Sequence, residues 1–381
     1  MKLLKIIYMF LFLIWTSANG QEPVQYKGVR YYPLSKKYLH TDAVKNNFKN
    51  EIVSYESKAK FMNNMALLND KHVDLTNEIQ AVLNKYDVIV LPNHEIRINK
   101  NGLRLRSNQV VIFQEKTVLK SIPNSQSHSA VLIIDEVENV KIYNAHIHGE
   151  RFEHLDSKGQ WGMGIRIIAS NDIRIINPTI KEMWGDGIYI GGRRGKPSKN
   201  VEIHNAHLDH NRRNAMSITS VDGLKLINPL IANANGQSPK AGIDIEPNSN
   251  DDTIDKIVIE NPISFYNSIY GIVISLTKLP GLKQKEVNVA INNPLIIGGK
   301  YGVAVLGIYK NPNNYKINGK ISVNNLTTYY NALSIKEFDK PMFDLEVKIS
   351  NLKIFHKSKR GIEYLNQKQM DKFHMNLKKL D

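Results

Sequence analysis

The chain has no cysteine, so neither a disulfide framework nor a lipidated N-terminal cysteine is available to it. Its stability must come from packing. It also lacks an apolar run long enough to span a bilayer. The run Ile6 to Trp15 is about ten residues, against the roughly 20 that a spanning helix needs. Acidic residues are scarce, with 36 Asp and Glu against 51 Lys and Arg. Beyond residue 88 no segment carries a convincing long helical pattern. No nucleic-acid-binding motif accompanies the positive charge, so nucleic acid is not an expected partner.

What is present begins with a targeting segment. Lys2 and Lys5 precede the apolar run, and Ser17-Ala18-Asn19-Gly20 supplies small residues before Gln21. This is the pattern of a signal peptide over residues 1–20, so export to a periplasmic or extracellular site is expected. Removing Lys2 and Lys5 leaves 49 basic against 36 acidic residues, a net +13. A basic exported protein favours anionic partners, acidic polysaccharide among them. The remaining length, about 360 residues, suits one large domain or two ordinary ones.

Residues 21–73 form an extension whose elements the sequence does not assign, although Tyr26, Tyr31, Tyr32 and Tyr38 cluster there. Asp74 to Tyr86 reads as a short amphipathic helix, with Leu75, Ile79, Val82 and Leu83 at helical spacing and Asp74 or Thr76 as its cap. Short β-type runs follow, starting with Val88-Ile89-Val90-Leu91 and continuing to about residue 355.

The runs repeat. One type is apolar-x-apolar-x-Asn, with asparagines at 144, 177, 205, 228, 261, 293, 325 and 351, spaced by 23 to 33 residues. A second type is Gly/Ala-apolar-x-apolar-x, starting at Ala130, Gly164, Gly187, Ala215, Gly242, Gly271, Gly302 and Ala332. The two alternate without a break. Repeats of this length, holding two or three strands each, imply a solenoid of stacked β rungs that share one core. The asparagines fit a bend, where stacked amides hydrogen-bond along the axis. The helix before them would cap the open end.

This pattern resembles the right-handed parallel β-helix of the pectate lyase and polygalacturonase superfamily. The resemblance covers residues 74 to about 355 and implies an all-β, single-stranded right-handed parallel β-helix solenoid with an N-terminal capping helix. The expected organisation is a β-helix domain over residues 74–365 and a polar tail over 366–381. The resemblance further implies a site on the outer face of each rung's first strand and the loop before it. Departures are plain. Polygalacturonases carry Asn-Thr-Asp-Gly, an Asp-Asp pair, then Gly-His-Gly. Here those places read Trp184-Gly185-Asp186-Gly187, Arg213-Asn214 and Lys240-Ala241-Gly242. Only Asp186 transfers, as a position, and an ordinary polygalacturonase is not expected.

Aligning the first strands gives two outward columns. One reads Leu132, Arg166, Tyr189, Ser217, Asp244, Val273, Ala304, Ser334; the other reads Ile134, Ile168, Gly191, Thr219, Glu246, Ser275, Leu306, Lys336. Polar groups concentrate in the middle rungs, as a cleft across a rod requires. Asp244 and Glu246 share one strand face with Cβ atoms roughly 7 Å apart, close enough for paired acid/base chemistry. With Asp186 they are the candidate catalytic residues. Arg212, Arg213, His210, Tyr189, Trp184, Trp161 and Arg166 are the candidate substrate contacts, the arginines for anionic groups and the aromatics for sugar rings. No metal ligand set is assigned.

These observations point to a secreted enzyme that cleaves a polysaccharide, with an anionic chain favoured. In hydrolysis one carboxyl protonates the leaving oxygen while another activates water or attacks. The ~7 Å separation lies nearer the inverting range of roughly 6.5–9.5 Å. Hydrolysis of this kind requires no cofactor. The alternatives are β-elimination or C5-epimerisation of a uronate polymer, where Ca²⁺ would join, and a non-catalytic glycan-binding or adhesive rod. A monomer without an integral membrane segment is expected.

Overall fold

The computed structural model describes residues 22–62, 73–307, 316–336, 344–356 and 376–379. The expected signal segment lies outside these residues. The chain winds into a right-handed parallel β-helix of three sheets. A nine-stranded front sheet contains Ala241–Ile245, an eleven-stranded back sheet contains Val221–Ile227, and an eleven-stranded side sheet contains Leu230–Ala232. Each rung contributes its strands in that cyclic order, and sequential rungs pair in parallel.

The interior is built from aliphatic columns. On the back sheet Ile142, Ile175, Ile203, Leu226, Ile259, Ile291 and Val323 stand in register. None of these seven is exposed to solvent. Each such side chain stabilises by about 1.5–3 kcal/mol on burial, and no single rung could gain it alone.

The asparagines hold the bend between back and side sheets as the sequence implies. All eight have φ between 51° and 59°, the left-handed conformation that asparagine tolerates better than other non-glycine residues. Their amides form a ladder, Nδ2 of each donating to Oδ1 of the one before, from Asn177→Asn144 at 3.0 Å to Asn351→Asn325 at 2.9 Å. Small residues opening the front strands have a steric reason. A Cβ on Gly187 would lie 2.6 Å from the Ala215 carbonyl oxygen on the next rung.

The helix Thr76–Lys85 caps the end of the stack and buries Ile79 and Leu83 against it. Asp74 Oδ1 accepts from the Thr76 N–H at 3.0 Å and from its hydroxyl at 2.6 Å. The region before it is structured as well. Residues 24–40 run along the outside of the side sheet, where the Tyr32 ring stacks on Tyr266 at 3.6 Å and Tyr38 packs on Phe265. The helix Lys49–Glu56 lies on the back sheet, with Tyr143 Oη donating to Glu51 at 2.6 Å. Lys60–Phe61 then pairs with the strand Val88–Val90. The back sheet therefore begins before residue 74. At the other end Asn376–Lys379, within the expected polar tail, pairs with Lys353–His356.

Candidate functional site

Register decides which side chains meet on the front face. Arg166 pairs with Ile133 and with Tyr189, Ser217 with Tyr189 and Asp244, and Asp244 with Val273. At the two ends the expected columns slip, by one residue at the first and by two at the last. Ile133 replaces Leu132, which pairs with the core residue Ile165, and Lys336 replaces Ser334 beside Ala304. The reason is that Val131, not Ala130, stands level with Gly164, and Ser334, not Ala332, level with Gly302, so a nearby alanine mimics the strand start at each end. The slip brings Asp135 to the face, beside Ile168.

The middle of the face is a closed polar network. Asp186 is fully buried. Its Oδ2 accepts from Arg213 Nη1 at 2.9 Å and from Ser217 Oγ at 2.8 Å, while Oδ1 accepts from the Asn214 N–H at 3.1 Å. Asn214 Nδ2 donates to Asp244 Oδ2 at 2.9 Å, and Arg213 Nη2 stands 3.9 Å from that same oxygen. Burial pushes the Asp186 carboxyl up, against Arg213 and the other donors. Burial would lower Arg213, but Asp186 and Asp244 hold it above its usual range. With three donors converging on Asp186, we read the two as a charged pair.

Asp244 behaves differently. It is 3% exposed, and burial, with Glu246 and Asp186 nearby, pushes its carboxyl up to about 7 despite Arg213. Oδ2 is engaged by Asn214; among the described residues nothing donates to Oδ1, which is therefore the oxygen suited to carry a proton. Glu246 follows on the same face, half-buried, its N–H bonded to the Ile218 carbonyl at 2.9 Å. The geometry thus separates three carboxylates that the sequence grouped together. Asp186 is locked by its partners, Asp244 is a protonatable acid, and Glu246 is partly open to solvent.

Around them, Tyr189 Oη and Thr219 Oγ1 lie 3.0 Å apart, and burial raises the phenol. Arg166 reaches Asp135 at 3.3 Å, where Arg193 also binds. Trp161 stacks on His128 at 4.3 Å and lines a cavity of about 320 Å³ with Arg212, Gly159 and Gln237. Arg212 Nη1 donates to the Gly159 and Trp184 carbonyls at 3.1 and 3.3 Å.

Two expected contacts are corrected. Trp184 is not a platform for sugar: the His154 ring lies 3.9 Å and the Arg212 guanidinium 3.6 Å from the indole. Groups that close cannot share a face, so both faces are covered and only 8% of the residue is exposed. His210 turns away from the cleft. It sits at the corner after the side strand, 4.4 Å from Tyr31, with Nδ1 2.8 Å from Asp209. Its left-handed φ of 56° carries the chain round that corner.

Sequence reasoning missed Asp135 and the Glu150–His154 pair. Glu150 Oε2 and His154 Nδ1 are 3.0 Å apart and almost fully enclosed, and burial pushes Glu150 up to about 7. Their i, i+4 spacing was the available signal. Among the described residues no group of three or more His, Asp and Glu side chains is arranged to hold a metal ion. No helix there is long and apolar enough to cross a membrane.

Residues 80–254 match the family model described as "Right handed beta helix region". A stretch of 165 residues is 32% identical to the uncharacterized protein YclG of Bacillus subtilis strain 168, over 39% of this chain and 28% of that protein. The chain thus spans under a third of that relative's length. A double mutant of the tailspike protein of E. coli bacteriophage HK620, in complex with pentasaccharide, is 10% identical with a TM-score of 0.56, over 81% of this chain and 58% of that one. PfbA, a surface adhesin of Streptococcus pneumoniae, is 14% identical with a TM-score of 0.53, over 78% and 85%. At these identities the likeness is one of fold. The A-module of the mannuronan C-5 epimerase AlgE4 of Azotobacter vinelandii shares it too, 14% identical with a TM-score of 0.50 over 82% of this chain and 95% of that one.

Proposed function

We propose that this protein is an exported glycoside hydrolase acting on an acidic polysaccharide, with Asp244 as general acid and Glu246 as general base. The observation that carries the reading is the contrast between the two carboxyls. Asp244, pushed up to about 7 by burial and its neighbours, is protonated in a large share of molecules at neutral pH, and Glu246 on the same face is partly open to water. A pair with unequal environments is what acid/base division of labour requires.

In the reaction the Asp244 carboxyl transfers its proton to the glycosidic oxygen as the bond to the anomeric carbon breaks. Glu246 takes a proton from the water that attacks that carbon from the opposite side. Solvent exchange then restores both groups. The ~7 Å spacing along a strand leaves room for the water, favouring inversion. Asp186 and Arg213 position Asn214 and hence Asp244, while Trp161 and Arg212 supply a wall for the sugar chain. No metal is called for by this chemistry.

A panel of acidic and neutral polysaccharides tests the proposal, with products read by reducing-end assay and ultraviolet absorbance. New reducing ends without an unsaturated product support hydrolysis. An unsaturated product transfers the reading to elimination with Ca²⁺ assistance, and binding without products transfers it to an adhesive rod. Equal cleavage by the parent, Asp244→Asn and Glu246→Gln overturns the site assignment.

A further inference from the structure

A second concavity lies off the front face, at the corner where the side strands turn toward the front sheet. Its volume is about 540 Å³, and its lining includes Arg30, Arg151, Lys240, Tyr32, Tyr266 and Tyr330. Volumes of this order are ordinary for ligand sites. Three cations line it and no carboxylate does. Among the described residues neither Arg30 nor Lys240 forms an ion pair with an acidic side chain. Arg151 is 6% exposed and fixed, Nη1 donating to the His210 carbonyl at 2.5 Å and Nη2 to the Asn235 carbonyl at 2.7 Å.

The wall contributed by the N-terminal arm is equally ordered. The Tyr32 N–H donates to Asn233 Oδ1 at 3.0 Å, Asn233 Nδ2 returns a bond to the Tyr32 carbonyl at 3.1 Å, and Asn235 Nδ2 donates to the Arg30 carbonyl at 3.0 Å. These bonds set the backbone on either side of Tyr31, so Arg30 and Tyr32 are presented together. The Tyr32 ring is stacked on Tyr266; burial, then Tyr32 and Tyr330 and to a lesser degree Tyr38 and Glu22, raise the Tyr266 phenol to about 12. Uncompensated cations call for an anion, and flat amphipathic rings with hydroxyl tips suit a ring that carries hydroxyls.

We propose that this corner is an acidic-saccharide-binding site, separate from the carboxylate cluster and assembled only when residues 29–32 are docked. The ligand is a sugar bearing carboxylate or sulfate. The anionic group meets Arg30 and Lys240, and the ring lies along the tyrosines. The site does not depend on the catalytic proposal, because a protein that cleaves nothing would still present it.

The test is calorimetric titration of Asp244→Asn protein, which keeps a cleavable ligand intact, with oligogalacturonate, chondroitin sulfate oligosaccharides, neutral cello-oligosaccharides and sodium sulfate. At least one acidic oligosaccharide is expected to bind. Adding Arg30→Ala and Lys240→Ala should weaken binding about tenfold or more for each charge-assisted hydrogen bond removed, with an unchanged melting temperature. Both residues are at the rim, so folding is not at stake. Sodium sulfate alone should bind weakly or not at all. Unchanged affinity in the double variant, no acidic ligand bound by the parent, or equal binding of the neutral oligosaccharides overturns the proposal. Sulfate binding as tightly as the oligosaccharides reduces the site to an anion site and overturns the saccharide assignment.

Discussion

Asn214 Nδ2 donates to Asp244 Oδ2 at 2.9 Å, while its own backbone N–H donates to Asp186. One asparagine therefore ties the buried charged pair to the carboxyl whose proton the proposed chemistry uses. The coupling makes several consequences measurable.

Asp244→Asn is expected to abolish cleavage and to stabilise the fold. The folded carboxyl is raised above its usual 3.8 to about 7, so this group costs the parent no stability below pH 4 and an increasing amount as pH rises from 4 to 7. The variant has no proton to lose. Its advantage should be absent below pH 4, grow between pH 4 and 7, and reach at most about 4 kcal/mol above pH 7. Thermal melts of both proteins across this range check it; a variant less stable than the parent at pH 8 contradicts it.

Arg213→Ala should be among the most damaging single changes on the front face. It leaves the fully buried Asp186 without its cation, at a cost of about 3–5 kcal/mol. In a double-mutant cycle with Asp186→Asn the two losses should be strongly non-additive. Additive losses would mean the pair is not coupled.

The two tryptophans beside the cleft should separate binding from folding. Trp161→Ala is expected to raise KM about three- to tenfold, the worth of one aromatic contact, and to leave the melting temperature nearly unmoved. Trp184→Ala should lower stability to chemical denaturation by about 3–5 kcal/mol, because its two faces carry His154 and Arg212. The reverse pattern would restore Trp184 as a sugar platform.

The arm over the side sheet should loosen in acid. Burial, then Lys181, His148 and His207, lower His146 to about 4, and burial also lowers His207 and His40. Buried neutral histidines contribute stability that is complete above pH 6.5 and is lost as pH falls toward 4. Glu182 opposes the trend: although burial raises it, His148, Tyr26 and Lys27 hold it down to about 2, so its contribution persists to lower pH. Proteolysis within residues 22–62 should accelerate between pH 6.5 and 4, and less so in His146→Gln.

The asparagine bend offers a backbone test. Asn205 bonds both Asn177 and Asn228 and has φ of 53°. Asn205→Gly loses the ladder bonds but keeps the conformation, whereas Asn205→Ala also carries about 1 kcal/mol or more of left-handed strain. Chemical denaturation should rank parent, Gly, then Ala.

The fold was legible because each rung repeats its own local instructions. Eight asparagines and the Gly/Ala starts announced a bend and a strand at fixed offsets. Asp244, Glu246 and Ser217 were legible for the same reason, being polar exceptions in a periodic column. Trp184 was not, since its burial depends on His154, thirty residues earlier, and on Arg212, in a loop of the following rung. Asp135 was hidden by a one-residue register slip. The role of Tyr26, Tyr31, Tyr32 and Tyr38 rests on partners more than 150 residues away, a distance no local pattern spans.

Those tyrosines alter how the rod should come apart. Rungs that touch only their neighbours fray from an end, one at a time. The arm touches the rungs of Glu182, His210, Asn233 and Tyr266 in succession. It binds four consecutive rungs into one cooperative unit, so melting that begins at the far end should halt there until the arm itself lets go.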